Sequence, residues 1–386
     1  MKNSVFIILV CVIVFLVGFL CIHSFKQSKV AEDEYNNKID ELTGKNASDD
    51  EICKSLTDIA ERLNSELGNG EDRDIDLYVR GVSDEDINTI NNYIDTMNGS
   101  VTSFSTLEIN GEKQEASETR NITFHIERSD TSYAYDYIEN GKSIPEDKKE
   151  AMELGIKGKG ILDEVIKDDM TDYEKELAIH DYIVNNCTYG ASTANDRSEY
   201  TAYGALVNGR AVCGGYAAAM NLLMKCAGLE CRFAVGTAGK TKEDIEKHAW
   251  NQVKIGNDWY NVDATWDDPI GGEDVLTHMY FNVSDAALSE THTWEEQGHV
   301  KCSAMRDNYY YHNGSYVDNN NGLEVLASVT FADPTVTDLE CAIGPNVAVD
   351  NDSLVFLYNY DKVNGANYSV EGTGYYRVLN IQLERY

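Results

Sequence analysis

The segment HAWNQVKIGNDWYNVDATWDDP, residues 248–269, constrains this chain more than any other stretch. Two runs of alternating apolar residues, 248–255 and 258–266, flank Gly256-Asn257, a pattern that predicts a β-hairpin. A two-residue loop pairs Ile255 with Asp258 and sets His248 opposite Thr265. Asp263 then lies two residues from that point on the same face, a diagonal neighbour within reach of the imidazole. An odd loop without a bulge would put the two side chains on opposite faces. The expectation is an antiparallel sheet carrying a carboxylate that orients a histidine.

A cysteine precedes this hairpin in GRAVCGGYAAAMNLLMKCAGL, residues 209–229. Tyr216, Met220, Leu223 and Met224 fall on one helical face, and Gly214, Gly215 and Ala217 to Ala219 leave the helix start uncrowded. A helix beginning at about Cys213 sets its sulfur at unpaired N–H groups and the positive end of the helix dipole, which favours the thiolate. Alone, a cysteine at a helix start is more often inert than catalytic. Joined to a histidine and a carboxylate it has a use. The thiolate attacks a carbonyl, His248 moves the proton, and Asp263 fixes the tautomer.

These two motifs, with KELAIHDYIVNNCTYG and YTAYGALVNGRAVC before them, resemble the transglutaminase-like superfamily in its bacterial, surface-anchored branch. The resemblance runs from about Thr171 to Pro269 and continues weakly through MYFNVSDAALSETHTW. It implies a papain-like α+β core, with a Cys-bearing helix packed on an antiparallel sheet bearing His and Asp. It also implies a catalytic triad of Cys213, His248 and Asp263 acting on amide bonds. The Cys213 backbone N–H is the first oxyanion donor expected. Papain-like enzymes add a side-chain donor from an earlier segment, for which Tyr203 and Asn208 both remain open. Trp250, Trp259 and Trp266 are expected in the core or cleft wall, and Asp267 and Asp268 as turn caps. His180 and His278 are expected in structural roles, and Cys226 and Cys231 as packing residues.

With 386 residues, the chain is long enough for more than one domain. Residues 1–25 form an N-terminal membrane anchor in this reading. The run 5–25, VFIILVCVIVFLVGFLCIHSF, carries no acidic residue, Lys or Arg, and as a helix spans roughly 30 Å. No small-x-small cleavage site follows it, and Leu20 before Cys21 argues against a lipid-anchored cysteine. Residues 26–70 read as a polar stalk and 71–145 as a small α/β unit. There, DIDLYVRGV and NITFHIER are strands, SVTSFSTLEI another, and Ser83 caps a helix reaching Met97. Residues 146–300 hold the catalytic core, whose TDYEKELAIHDYIVNN opens with Thr171 and Glu174 in capping-box spacing. Residues 301–386 are β-rich, through NYYYHNGSYV, SLVFLYNY and YSVEGTGYYRVLNIQLERY. The aspartates of DRDIDLYVRG lack the glycine and glutamate placement of a calcium loop.

A net charge of −34 without a basic patch excludes nucleic acid as the expected partner. No zinc spacing and no cofactor motif are present, so no metal or cofactor is expected. Seven cysteines lie beyond the anchor, an odd number that leaves at least one free thiol in an exported domain. The expected protein is a single-pass enzyme of the cell membrane with its large domain outside. It hydrolyses a protein or peptide substrate, and its partners would be surface proteins or cell-wall peptides. Cross-linking by an amine acceptor, or a non-catalytic scaffold, are the alternatives.

Overall fold

The computed structural model describes residues 48–49, 51–66, 73–83, 87, 119–126, 128–190, 197–268, 276–296, 298–360, 362–373 and 376–386. The anchor segment 5–25 and the strand SVTSFSTLEI lie outside these residues, as does the helix expected up to Met97 apart from Ser83 and Ile87. Among the described residues, no helix is long and apolar enough to cross a membrane. The chain divides into two units, the smaller ending at Glu127 and the larger running from Arg128 to Tyr386.

In the smaller unit, β1 (Ile52–Cys53) pairs parallel with β2 (Arg73–Val79), and β2 pairs antiparallel with β3 (Arg120–Ile126). Helix α1 (Leu56–Glu66) lies between the first two strands in sequence. Ile59 and Leu63, one turn apart, are fully buried, as are Val79 and Ile122. Residues 52–66, read from sequence as stalk, therefore form a strand and a helix. Their few apolar residues fall on one face, which the surrounding polar composition obscures.

The larger unit opens with α2 (Asp130–Asn140), α3 (Lys149–Val165) and α4 (Asp172–Asn186). It begins ahead of the boundary near 146 expected from sequence because α2 and α3 pack closely. A Cβ on Gly155 would come 2.9 Å from the Tyr137 ring, and one on Gly158 would come 3.0 Å from Ile138. Helix α4 starts with the capping box read from sequence. The Thr171 hydroxyl accepts from the Glu174 N–H at 3.3 Å, and the Thr171 N–H donates to the Glu174 carboxylate at 2.7 Å.

Next come β4 (Thr188–Tyr189), a 3₁₀ turn (Arg197–Tyr200), a π turn (Gly204–Asn208), β5 (Arg210–Ala211) and α5 (Cys213–Cys226). Helix α5 is buried over most of its length: Met220, Leu222, Leu223 and Met224 are inaccessible to solvent. Then follow β6 (Cys231–Ala238), β7 (Glu246–Ile255), β8 (Asp258–Val262), α6 (Asp285–Leu288) and β9 (His292–Thr293). The sheet order is β8-β7-β6-β9, antiparallel throughout. The hairpin has the expected register, Ile255 with Asp258 and Asn251 with Val262, around Gly256 at φ 62°. This is an α+β papain-like core, with the cysteine-bearing helix packed on the sheet that carries the histidine.

The C-terminal part is α7 (Tyr309–His312), β10 (Tyr316–Val317), α8 (Asn320–Thr330), β11 (Asp338–Ile343), β12 (Val363–Thr373) and β13 (Tyr376–Arg385). Its sheet, ordered β10-β11-β13-β12, ends in a long hairpin formed by the last segment, within the region expected to be β-rich. Two other segments differ from expectation. NYYYHNGSYV winds into a helical turn because the Asn308 side chain accepts from the Tyr310 N–H at 3.2 Å, burying Tyr310. SLVFLYNY forms a 3₁₀ turn (Val355–Asn359), set by reciprocal Asp350 and Ser353 bonds of 2.7 and 2.8 Å. In both, local capping overrides the β-preference of aromatic and branched residues.

Candidate active site

Cys213 is the first residue of α5. Val212 before it is extended (φ −98°, ψ 178°) and offers no side-chain cap. Its carbonyl accepts from the N–H groups of Gly215 and Tyr216 at 2.8 and 3.2 Å. The N–H groups of Cys213 and Gly214 lie at the open end of the helix, where orphan donors attract negative charge. Gly215 is required there. A Cβ would fall 2.5 Å from the Glu199 carbonyl and 2.6 Å from Ala211 Cβ, so the 3₁₀ turn can press on the helix only against glycine.

Asn251 ties this helix to the sheet. Its buried amide donates to the Ala217 carbonyl at 3.0 Å, one turn into α5, and to the Arg232 carbonyl at 3.2 Å. Three residues earlier on β7, His248 faces the sulfur. Hydrogen bonding and charge from Cys213 both act on its imidazole. On its other side, His248 Nε2 lies 2.7 Å from Asp263 Oδ2. With Nε2 taken by the carboxylate, Nδ1 is the nitrogen left for the thiol.

Asp263 follows β8 and is 1% exposed. Its Oδ1 accepts the N–H groups of Thr265 and Trp266 at 3.0 and 3.3 Å. Burial alone would push this carboxyl up, but the His248 charge and bonds to two imidazoles hold it far below the usual range. For His248, burial disfavours the charged ring, yet the Asp263 charge and hydrogen bond, with Cys213, raise its pKa well above the ordinary value.

Sequence reasoning did not single out His292. On β9, its Nε2 lies 3.0 Å from the same Asp263 Oδ2, and its Nδ1 lies 2.8 Å from the Thr291 hydroxyl. Burial, joined by the nearby His248 charge, outweighs Asp263 and lowers its pKa. Of the two imidazoles, His248 is therefore the one whose charged form the site favours. Trp250 and Trp266 flank both rings, at centroid distances of 4.7 to 6.2 Å. Trp259 instead lies under the Arg232 guanidinium. The half-buried Tyr189 feels the charges of Cys213, Glu246 and Asp263 and lies on the same side of the fold.

Tyr203 and Asn208 turn to other partners. The Tyr203 hydroxyl donates to Glu153 at 2.5 Å, and the Asn208 amide to the Ser198 hydroxyl at 3.2 Å. Asp267 and Asp268 do more than cap a turn. Asp268 accepts from the Tyr216 hydroxyl of α5. Asp267 takes the Tyr280 N–H at 2.9 Å and lies 3.2 Å from His180 Nε2 of α4. His180 and His278 share Asp181, at 3.0 and 2.9 Å.

Ligand-type atoms gather at His248, Asp263 and His292, and in two further groups, this last one and the meeting of Asp285, His299 and Cys302. Around Asp181, hydrogen bonds among the three residues and Asp267 join the atoms. In the other group, the Asp285 oxygens take His299 Nε2 at 2.8 Å and the Cys302 N–H at 2.9 Å. The Cys302 thiol donates to the Val300 carbonyl at 3.3 Å.

All seven described cysteines are free. Burial pushes Cys53 and Cys187 up to about 11 and Cys226, Cys231 and Cys341 up to about 12, and it raises Cys302 as well. Cys213 is the described cysteine set at a helix start beside an imidazole.

Residues 159–264 match the family model described as transglutaminase-like superfamily. Kyphoscoliosis peptidase of Homo sapiens is 25% identical over 187 residues, covering 42% of this chain and 28% of that protein. The chain thus spans under a third of that relative's length. Among solved structures, Legionella pneumophila LapG is 11% identical, covering 42% of this chain and 78% of that one at a TM-score of 0.25. A TGase is 13% identical, covering 55% and 59% at a TM-score of 0.24.

Proposed function

We propose that this chain, whose residues 159–264 match the transglutaminase-like superfamily, is a cysteine acyl-transfer enzyme acting on amide bonds of proteins or peptides. The observation that carries the reading is His248 between Cys213 and Asp263, 2.7 Å from the carboxylate.

The Cys213 thiol gives its proton to His248 Nδ1, and the thiolate adds to the amide carbonyl. The Cys213 N–H at the open end of α5 donates to the oxyanion. His248 returns the proton to the leaving amine as the C–N bond breaks, leaving a thioester. Water then attacks the thioester, His248 takes its proton, and the acid is released with Cys213 restored. Asp263 holds the imidazole and balances its charge throughout.

Hydrolysis is favoured over transfer to an amine because the curated relative is named a peptidase. The apolar run 5–25, long enough as a helix to span the hydrocarbon, supports the reading of an enzyme anchored in the cell membrane with its large domain outside, acting on surface proteins or cell-wall peptides.

The test incubates the full chain and Cys213→Ala with a peptide library, with and without a primary amine, read by mass spectrometry. Cleavage that needs Cys213 is the expected result. Amine incorporation would replace hydrolysis by cross-linking, and no change in either would overturn the enzyme reading.

A further inference from the structure

We propose that His292 is a positioning residue of this site, sharing one Asp263 oxygen with His248 and thereby limiting how tightly that carboxylate holds the His248 proton. The inference rests on the reading of Cys213, His248 and Asp263 as the acyl-transfer machinery.

The Asp263 carboxylate has four acceptor positions, and each is filled. Oδ1 takes two backbone N–H groups, and Oδ2 faces the Nε2 atoms of His248 and His292 at 2.7 and 3.0 Å. The carboxylate cannot turn without losing several bonds. The His292 side chain is fully buried, with the rings of Trp250, Trp266 and Tyr280 around it. Because an ionised carboxylate only accepts, the Nε2 of His292 is the nitrogen that carries the proton and donates it to Asp263, with the Thr291 hydroxyl against Nδ1. The other titratable groups felt at this site are Cys213 of α5, Tyr189 of β4, Glu246 of β7 and Tyr280.

A neutral His292 aims the positive end of its N–H at Oδ2, where the His248 N–H also points. That dipole favours the Asp263 anion in every state of the pair. It disfavours the imidazolium, so it draws the His248 pKa down toward the range where an acid can release its proton. Its seat depends on Gly236, opposite His248 on β6. A Cβ there would fall 1.9 Å from the Thr293 carbonyl, so β9 reaches the sheet edge only against glycine.

The test follows iodoacetamide labelling of Cys213 against pH in the full chain, by peptide mass spectrometry. His292→Leu removes the N–H donor and the imidazolium is held harder, so the upper midpoint of labelling, where His248 loses its proton and leaves a free thiolate, rises by about half a pH unit. His292→Gln keeps an N–H for Oδ2 and holds the wild-type midpoint. Thr291→Val leaves the ring in place but frees its tautomer, and moves the midpoint the same way by less. It decides the question if His292→Leu does not fold. An unchanged or lowered upper midpoint in the folded variants overturns the inference. His248→Ala separates the two readings: if it slows labelling while the His292 and Thr291 variants behave as wild type, the inference alone fails. If His248→Ala changes nothing, the acyl-transfer reading fails and takes the inference with it.

Discussion

The Asn251 amide donates to the Ala217 carbonyl across 3.0 Å, joining the first turns of the helix that starts at Cys213 to the strand that carries His248. Base and nucleophile thus come from elements pinned within a few residues of each. Asn251→Leu removes the donor from a buried position and leaves the Arg232 carbonyl short of a partner. We expect a loss of about 1–3 kcal/mol in denaturant unfolding. Labelling of Cys213 at neutral pH should slow by about tenfold as the helix start shifts from His248. A variant that unfolds earlier but labels at the wild-type rate would show that this bond holds the fold and not the site.

Gly236→Ala tests the seat of β9. The added methyl has no room beside the Thr293 carbonyl, so strand and sheet must separate locally. The expected cost is about 1–3 kcal/mol or more in thermal or chemical unfolding. Hydrogen exchange should quicken at Thr237 and Thr293, paired residues of β6 and β9, more than in α4. Uniform quickening would count against a local effect.

Glu176 is fully buried on α4, with one oxygen accepting from Asn282 at 2.7 Å and the other without a partner among the described residues. Burial raises its pKa from 4.5 to about 8, so the fold favours the protonated acid. Stability is then highest below the unfolded pKa of 4.5, falls as pH rises and levels off above about 8. Glu176→Gln should leave the melting temperature unchanged at acid pH and raise it by several degrees at neutral pH. A lower melting temperature at neutral pH would contradict the assigned burial cost.

His180 responds to pH through a different balance. Burial disfavours its charged ring, but bonds to Asp181 and Asp267 outweigh burial and lift its pKa from 6.5 to about 9. The half-exposed Asp181, held down to about 2, is the carboxylate that stays ionised, whereas burial pushes Asp267 up. The stabilisation is complete below 6.5 and is lost as pH rises through about 9. His180→Asn should lower the melting temperature at pH 6 and flatten its decline between pH 7 and 9, read by calorimetry. A decline as steep as in the wild type would remove His180 as its source.

The hairpin could be read from sequence because two local rules agree: strands alternate with period two, and Gly256-Asn257 fits a two-residue turn. The start of α5 was legible from its glycines and alanines for the same reason. His292 was not. Its strand is two residues long and meets β6 far from it in sequence, and nothing in ETHTW marks a partner for Asp263. The directions of Tyr203 and Asn208 were equally hidden, because both border a π turn whose contacts are tertiary. The tyrosines at 309–311 misled because an asparagine cap outweighs strand preference.

The unequal surroundings of the cysteines turn the protein into its own counting device. Six described thiols lie where burial suppresses ionisation, and the seventh sits at an open helix end beside an imidazole. A mild electrophile at neutral pH should therefore bind the folded domain in a one-to-one ratio. The equivalents consumed would give the fraction of correctly folded molecules in a preparation before any substrate is known. A photo-crosslinker carried by the same reagent would place a reporter at one address and capture whatever polypeptide next approaches it.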